Sequence, residues 1–387
     1  MMKRTVGFYV ALGGFVVLSL GGMQVADAKD AGGLIVQPEG AQALEMIAGQ
    51  DGARLVLEAA RTKAINEVVK ASSSRNPFYR ANAIEAASYV DERMLPMLQL
   101  GLSDKSTVVR YASLVLVGKH KIKSLGESAK GLLKDPDQSV RAAAMFASAR
   151  CGMDVDASPL AGMLMSRDVR LRGNVAMLLG LMGNKSAIPM LADMSQAKFS
   201  AGQSLRDVEQ IQFAEAMVRL GREEAMDSIR VRVYHAGEDE SVRVLAISTL
   251  GKLGDGQMTA AFKPMLKDPN AHVRLAAAIS MGELGSVEGR DVLLTSSTYG
   301  PADVEESVQA FLDKHGNSAQ STAFRNLLVN PKAMEIMAGQ IRGQSAFGLG
   351  LMGDIESARR LTALLDDPDQ LVRLSASAAL LKSLKSQ

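Results

Sequence analysis

Leu132-Leu133-Lys134-Asp135-Pro136-Asp137-Gln138-Ser139-Val140-Arg141-Ala142-Ala143-Ala144 is the stretch that decides how this chain is read, because its pattern returns elsewhere. Asp268-Pro269 followed by Val273-Arg274-Leu275-Ala276-Ala277, and Asp367-Pro368 followed by Val372-Arg373-Leu374-Ser375-Ala376, repeat it, and Val242-Arg243-Val244-Leu245-Ala246 keeps its second half. A branched or aromatic apolar residue followed by Arg marks further copies at Tyr79-Arg80, Val109-Arg110, Leu171-Arg172 and Ile341-Arg342. Glu209-Gln210 and Val304-Glu305 read as degenerate copies. The anchors at 79, 109, 140, 171, 209, 242, 273, 304, 341 and 372 are mostly 31 residues apart. A fixed period of this length is the signature of stacked supersecondary units.

A second register is independent of the dipeptide. Twelve residues after an anchor stand Gly152, Gly183, Gly221, Gly254, Gly285, Gly316 and Gly353. A helix commonly stops on a left-handed residue, and glycine adopts that conformation without steric cost. Between anchor and glycine, Val273, Ala276, Ala277, Ser280, Met281 and Leu284 recur at helical spacing, which predicts a helix B. After the glycine a second apolar pattern runs, as in Phe262, Met265 and Leu266, and predicts a helix A that stops at Asp-Pro. The Asp is expected to cap the helix B that follows. Each unit is then a helical hairpin that cannot bury its apolar face alone. The expected fold is therefore all-α, an α-solenoid of about ten hairpins with an N-terminal helical cap.

The unit Leu-Leu-Lys-Asp-Pro-Asp-x-x-Val-Arg-x-x-Ala, with its Leu250-Gly251-Lys252-Leu253-Gly254 close, resembles the HEAT-like repeats named after phycobilin lyases, over roughly residues 76–387. The resemblance implies an Asp–Arg ladder along one side of the stack, with Arg80, Arg110, Arg141, Arg172, Arg243, Arg274, Arg342 and Arg373 as its arginine side. Their role is read as structural. Deoxyhypusine hydroxylases built on similar repeats hold iron with His-Glu pairs, and this chain has no His-Glu dipeptide. The lyase activity is not carried across either, since those enzymes act on cytoplasmic pigment proteins and this chain begins with an export pattern.

Met1-Met2-Lys3-Arg4, the apolar run Val6–Leu20 and Ala26-Asp27-Ala28 form the three parts of a secretory signal peptide, residues 1–28, cleaved after Ala28; the rival reading is an uncleaved transmembrane anchor over Thr5–Met23. Residues 29–75 are expected to be a flexible leader and the helical cap, and 76–387 the repeat array. The expected location is periplasmic or secreted, with no membrane insertion once the signal is removed. Without Lys3, Arg4 and Asp27, the 44 basic and 42 acidic residues leave a net charge of about +1. So even a balance gives no footprint for nucleic acid. The single cysteine, Cys151, takes the place of Leu253 and Leu284 in sister units and reads as a small core residue.

Chemistry-bearing constellations are scarce. His120, His235, His272 and His315 lie near helix boundaries without a second ligand on the same helical face. No nucleophile elbow, phosphate loop or dinucleotide fingerprint stands in its required context. No catalytic, cofactor or metal residue is therefore assigned, and no cofactor is expected. The 22 methionines mostly replace other apolar residues of sister repeats. The repeat breaks at two long intervals, 171 to 209 and 304 to 341, with surplus residues at Ser195–Asp207 and Val329–Gln340. Both are expected to be loops that project from one edge and tolerate shortening. Ser195, Lys198, Phe199, Arg206, Asn330, Lys332 and Glu335 are the expected partner-binding residues. The function read from all this is a non-enzymatic scaffold that binds protein partners outside the cytoplasm. The alternative is an enzyme or metal-binding protein whose site is assembled across repeats.

Overall fold

The structure is a computed structural model that describes residues 39–197, 202–234, 240–315, 325 and 328–385, with side chains described from residue 56 onward except at 91–92, 314–315 and 385. The signal peptide, residues 29–38, Lys198, Phe199, His235, the His315 side chain and Gly316 lie outside that description. Every regular element among the described residues is helical, as the repeat pattern requires. They form two compact units, one of residues 74–235 and one in which 236–387 are joined by the described residues up to 73.

A long helix, α1 (Glu39–Ser72), comes first. The unit of residues 74–235 contains α2 (Pro77–Ala86), α3 (Asp91–Leu102), α4 (Thr107–Lys119), α5 (Gly126–Gly131), α6 (Gln138–Arg150), α7 (Pro159–Met163), α8 (Val169–Met182), α9 (Ile188–Gln196), α10 (Gln203–Arg219) and α11 (Met226–Val233). Here α2, α4, α6, α8 and α10 are the B helices, and each packs on the next. Their apolar residues fill the core: Val109, Leu114 and Val117 of α4, Val140 and Phe146 of α6, and Leu171 and Leu178 of α8.

The other unit contains α12 (Glu240–Lys252), α13 (Thr259–Phe262), α14 (Ala271–Glu283), α15 (Arg290–Ser296), α16 (Pro301–His315), α17 (Pro331–Met352), α18 (Ile355–Leu364) and α19 (Gln370–Lys385), together with α1. Its row of B helices runs α12, α14, α17, α19. Helix α16, which carries the Val304-Glu305 anchor, does not stand in that row, because α17 packs directly on α14. A Cβ added at Gly348 of α17 would lie 2.6 Å from Leu293 Cδ2 of α15 and 3.0 Å from Ile279 Cγ1 of α14, so close is the approach. The degenerate copy is thus part of an insertion between helix A (α15) and helix B (α17). The physical reason is at hand: α16 has Glu305 where a B helix needs Arg, whereas α17 carries Ile341-Arg342.

Helix α1 covers the last hairpin, packing on α18 and α19. Ala60, Ala64, Val68 and Ala71, three or four residues apart, are its buried stripe. The glycine register holds: Gly152, Gly183, Gly221, Gly254, Gly285 and Gly353 all have φ between 71 and 96°. In the unit anchored at Val109 the same place is filled by Lys121, with φ 50°.

Candidate functional site

The arginines form a ladder, and its geometry corrects the expected role of the aspartates. Asp135 does not cap α6; its carboxylate accepts from the Asp137 amide at 2.9 Å, and Asp137 is the cap, accepting from Ser139 and Val140. Asn270 likewise caps α14, accepting from His272. This frees the Asp-Pro aspartate for the arginine of the preceding unit. Arg110 donates to both oxygens of Asp135 at 2.7 and 3.0 Å. Arg141, of the next unit, donates to the Asp135 carbonyl at 2.6 Å. Each loop is therefore held by one guanidinium on its side chain and another on its backbone. Burial pushes the Asp135 carboxyl up, but Arg110 and the Asp137 amide outweigh it and hold the group below the usual carboxylate range.

In the unit that includes α1, the ladder runs without interruption. Arg243 reaches Asp268 at 2.8 Å, and the Asp268 carbonyl accepts from Arg274 at 2.6 Å. Arg274 then donates to the Tyr299 hydroxyl at 2.9 Å, a phenol standing where sister units have Asp. The Tyr299 carbonyl accepts from Arg342 at 2.7 Å, across the insertion, and Arg342 grips Asp367 at 2.9 and 3.1 Å. The Asp367 carbonyl accepts from Arg373, whose Nη2 lies 3.2 Å from Glu67 of α1. Helix α1 thus supplies the acid that a following repeat would supply.

In the unit of residues 74–235 the ladder has one gap and one inversion. Arg80 grips Asp104 at 2.7 Å, while Arg141 bonds only the Asp135 and Pro136 carbonyls. Arg172 pairs with Glu209, an acid on the helix itself, both almost fully buried. At Gln210, where the arginine is lost, Arg232 of α11 reaches back to Gln210 and to Asp207.

The second long junction is not the loop expected, and the described part of the first is mostly helix. Gln203–Asp207 is the first part of α10, and residues 331–340 are an N-terminal extension of α17. Met334, Met337 and Ala338 of that extension are buried, and Val329, Lys332, Glu335 and Ile336 are exposed. Asn330 is the α17 cap, accepting from Ala333 at 3.2 Å. In the first junction Ser195 is half-buried and bonded to the Ala192 carbonyl, and Arg206 donates to Gln203. Ser195, Gln196, Gln210 and Arg232 border an open hollow of about 520 Å³.

The side-chain chemistry that the sequence left unassigned converges on a groove across the B helices α12, α14, α17 and α19, with an enclosed volume of about 80 Å³. Its walls include Val244, Ile279, Phe347 and Leu371, and its polar members include Ser248, Lys252, His272, Glu283, Gln340 and Gln344. His272 shares a hydrogen bond with Gln344; burial, then the Arg274 charge, push its pKa down to about 4, so the ring is neutral. Lys382 lies 5.7 Å over the Phe347 ring, and burial lowers its pKa against the pull of Glu283. The sequence signal for this groove was present, because its polar members stand one before and three, six and ten after their anchors. What was missing was that α17, not α16, is the neighbour of α14.

Among the described residues, no three His, Cys, Asp or Glu side chains are grouped to hold a metal ion. No helix among them is long and apolar enough to cross a membrane. Cys151 is free and buried, its Sγ 3.4 Å from the Ile122 carbonyl, and burial raises its pKa.

Residues 229–311 match the family model described as HEAT repeats. No curated protein matches the chain. Among solved structures, human deoxyhypusine hydroxylase in complex with glycerol is similar at 16% identity, over 78% of this chain and 99% of that one, with a TM-score of 0.33. At that score the likeness carries no conclusion about a site.

Proposed function

We propose, from a helical repeat scaffold whose residues 229–311 are HEAT repeats, that the chain is a non-enzymatic protein-binding module acting outside the cytoplasm. The observation that carries the binding role is the extension of α17. A B helix of ordinary length would end its hydrophobic duty at the row, yet α17 continues outward with Ile336 52% exposed, and Val329, in the turn just before its cap, is 80% exposed. Val329 stands in the turn before the Asn330 cap and Ile336 in the helix, with the exposed Lys332 between them in sequence, so two aliphatic side chains and a charge make a solvent-facing strip at this end of α17. Its inner side, Met334, Met337 and Ala338, fixes it against the unit, so the strip is held rigid at no further ordering cost to a partner. The location rests on the export pattern of residues 1–28.

The test is a double variant, Val329→Glu with Ile336→Glu, compared with wild type for melting temperature and for proteins captured from a cell-envelope extract. Both side chains are solvent-facing, so the variant is expected to melt as wild type does and to lose the partner. A variant that folds and captures every wild-type partner removes this edge as the contact.

A further inference from the structure

We infer that Arg150, the last residue of α6, holds an oxyanion of a bound molecule, a carboxylate or a phosphate group, on the face of the 74–235 unit that corresponds by register to the groove of the other. The site is independent of the protein-binding edge on α17.

The repeat register places the side chain. Lys252 and Glu283 stand ten residues after their anchors and line the groove of their unit. Arg150 stands ten after Val140, so it occupies the same face of its own B helix. In the unit that includes α1 this row reads Lys252, Glu283, Leu351 and Lys382, with an acid set among the cations. In the unit of residues 74–235 it reads Tyr89, Lys119, Arg150, Leu181 and Arg219, three cations and no acid. Arg219 finds its acid one turn back on its own helix, Glu215 at 2.7 Å, and Lys119 is engaged too. One turn back from Arg150 stands Phe146, whose buried ring lies against Gly118 of α4.

Arg150 is left without a counter-charge. Its Nε is shielded from water and donates to nothing, and among the described residues no carboxylate pairs with its guanidinium. The other arginines with a shielded, unbonded nitrogen each lie beside an acid: Arg172 beside Glu209, Arg232 beside Asp207 and Arg290 beside Asp291. Nor does Arg150 serve as a cap. The Ala147, Ser148 and Ala149 carbonyls of the last turn already accept from the Cys151, Met153 and Gly152 amides. A shielded donor left unbonded is costly, more so on a charged group. A guanidinium carries five N–H donors and accepts nothing, so its complement is an acceptor. Its planar fork fits the paired oxygens of a carboxylate or a phosphate group, and a row of cations without an acid favours the negative charge.

The experiment melts the full chain in rising succinate, inorganic phosphate or chloride at matched ionic strength, beside its Arg150→Met and Arg170→Met variants. Arg170 is the control, an arginine whose side chain is 90% exposed. Wild type and Arg170→Met are expected to gain melting temperature along a curve that saturates, as binding to one site requires, and Arg150→Met to lose that gain. Saturation by succinate alone assigns a carboxylate, by phosphate alone a phosphate group, and by both the oxyanion in general; each supports the site. A gain that grows without saturating and survives in Arg150→Met is general exclusion of the salt from the surface, and overturns the inference. No gain beyond chloride overturns it as well. Where Arg150→Met is itself destabilised, the Nε–H proton resonance of Arg150 in the wild-type chain decides. It should move as the same anion is added, and a resonance that stays in place removes the site.

Discussion

At the level of single residues, the ladder ranks arginines that look alike in the sequence. Arg342 is 7% exposed and holds Asp367 through two bonds, so Arg342→Ala leaves a buried carboxylate without its cation. Breaking one side of such a pair costs about 3–5 kcal/mol. Arg141 bonds two carbonyls and no acid, and Arg141→Ala is expected to cost only about 0.5–1.5 kcal/mol per bond lost. Urea denaturation of the two variants checks the order, and equal midpoints would dissolve the ladder as a stabilising device. Lys121 offers the opposite case. It occupies the glycine position with φ 50°, a conformation that costs an L residue roughly 1–2 kcal/mol, so Lys121→Gly is expected to raise the midpoint. His272 supplies a pH signature. Its folded pKa, about 4, lies below the unfolded value near 6.5, so the unfolded chain binds the extra proton. Stability from this group is full above about 6.5 and is lost as pH falls toward 4. Because ordinary carboxylates titrate toward the lower end of the same window, the readout is the difference between wild type and His272→Gln: the variant's stability should fall less steeply over that range.

At the level of elements, the second junction departs from its expected behaviour. A surface loop can be shortened at little cost, since closure entropy changes by only about 0.6 kcal/mol per doubling of length. The second junction is instead helix, with Met334, Met337 and Ala338 in the core. Deleting residues 331–337 is therefore expected to unfold the unit around α17, and Met334→Ala alone to cost about 2–5 kcal/mol. Thermal melts followed by circular dichroism report both. Helix α1 predicts a different failure. Its buried Ala64, Val68 and Ala71 and its Glu67 complete the face of α19. A chain begun after Ser72 should melt lower and self-associate with rising concentration, because an uncapped repeat presents an apolar face that another copy can cover. Light scattering that shows a stable monomer would contradict the capping role.

For the whole molecule, packing carries stability without covalent help, since Cys151 is the only cysteine and is free. If residues 1–28 direct export as their pattern indicates, mass spectrometry of the exported protein should find Lys29 at its amino terminus. An intact Met1, retained with the membrane after a salt wash, would make the segment an anchor.

The sequence by itself determined the helical hairpin, its period, its glycine stops and the arginine side of the ladder, because each rests on local rules: helical spacing, the left-handed stop and the Val-Arg dipeptide. What partners those arginines was decided only in three dimensions. Tyr299 and Glu209 replace aspartate, and Glu67 comes from the far end of the chain, 306 residues before Arg373. Tyr299 keeps the spacing but not the acid, and Glu209 and Glu67 break the period, so a search for periodic aspartates passes over all three. The same holds for Val304-Glu305, which scans as a repeat and packs as an insertion: spacing alone cannot say which of two helices a neighbour will accept. The groove follows from that choice. His272 and Gln344 lie in different units of the sequence and meet because α17 rather than α16 settles on α14, where Arg342 closes the ladder.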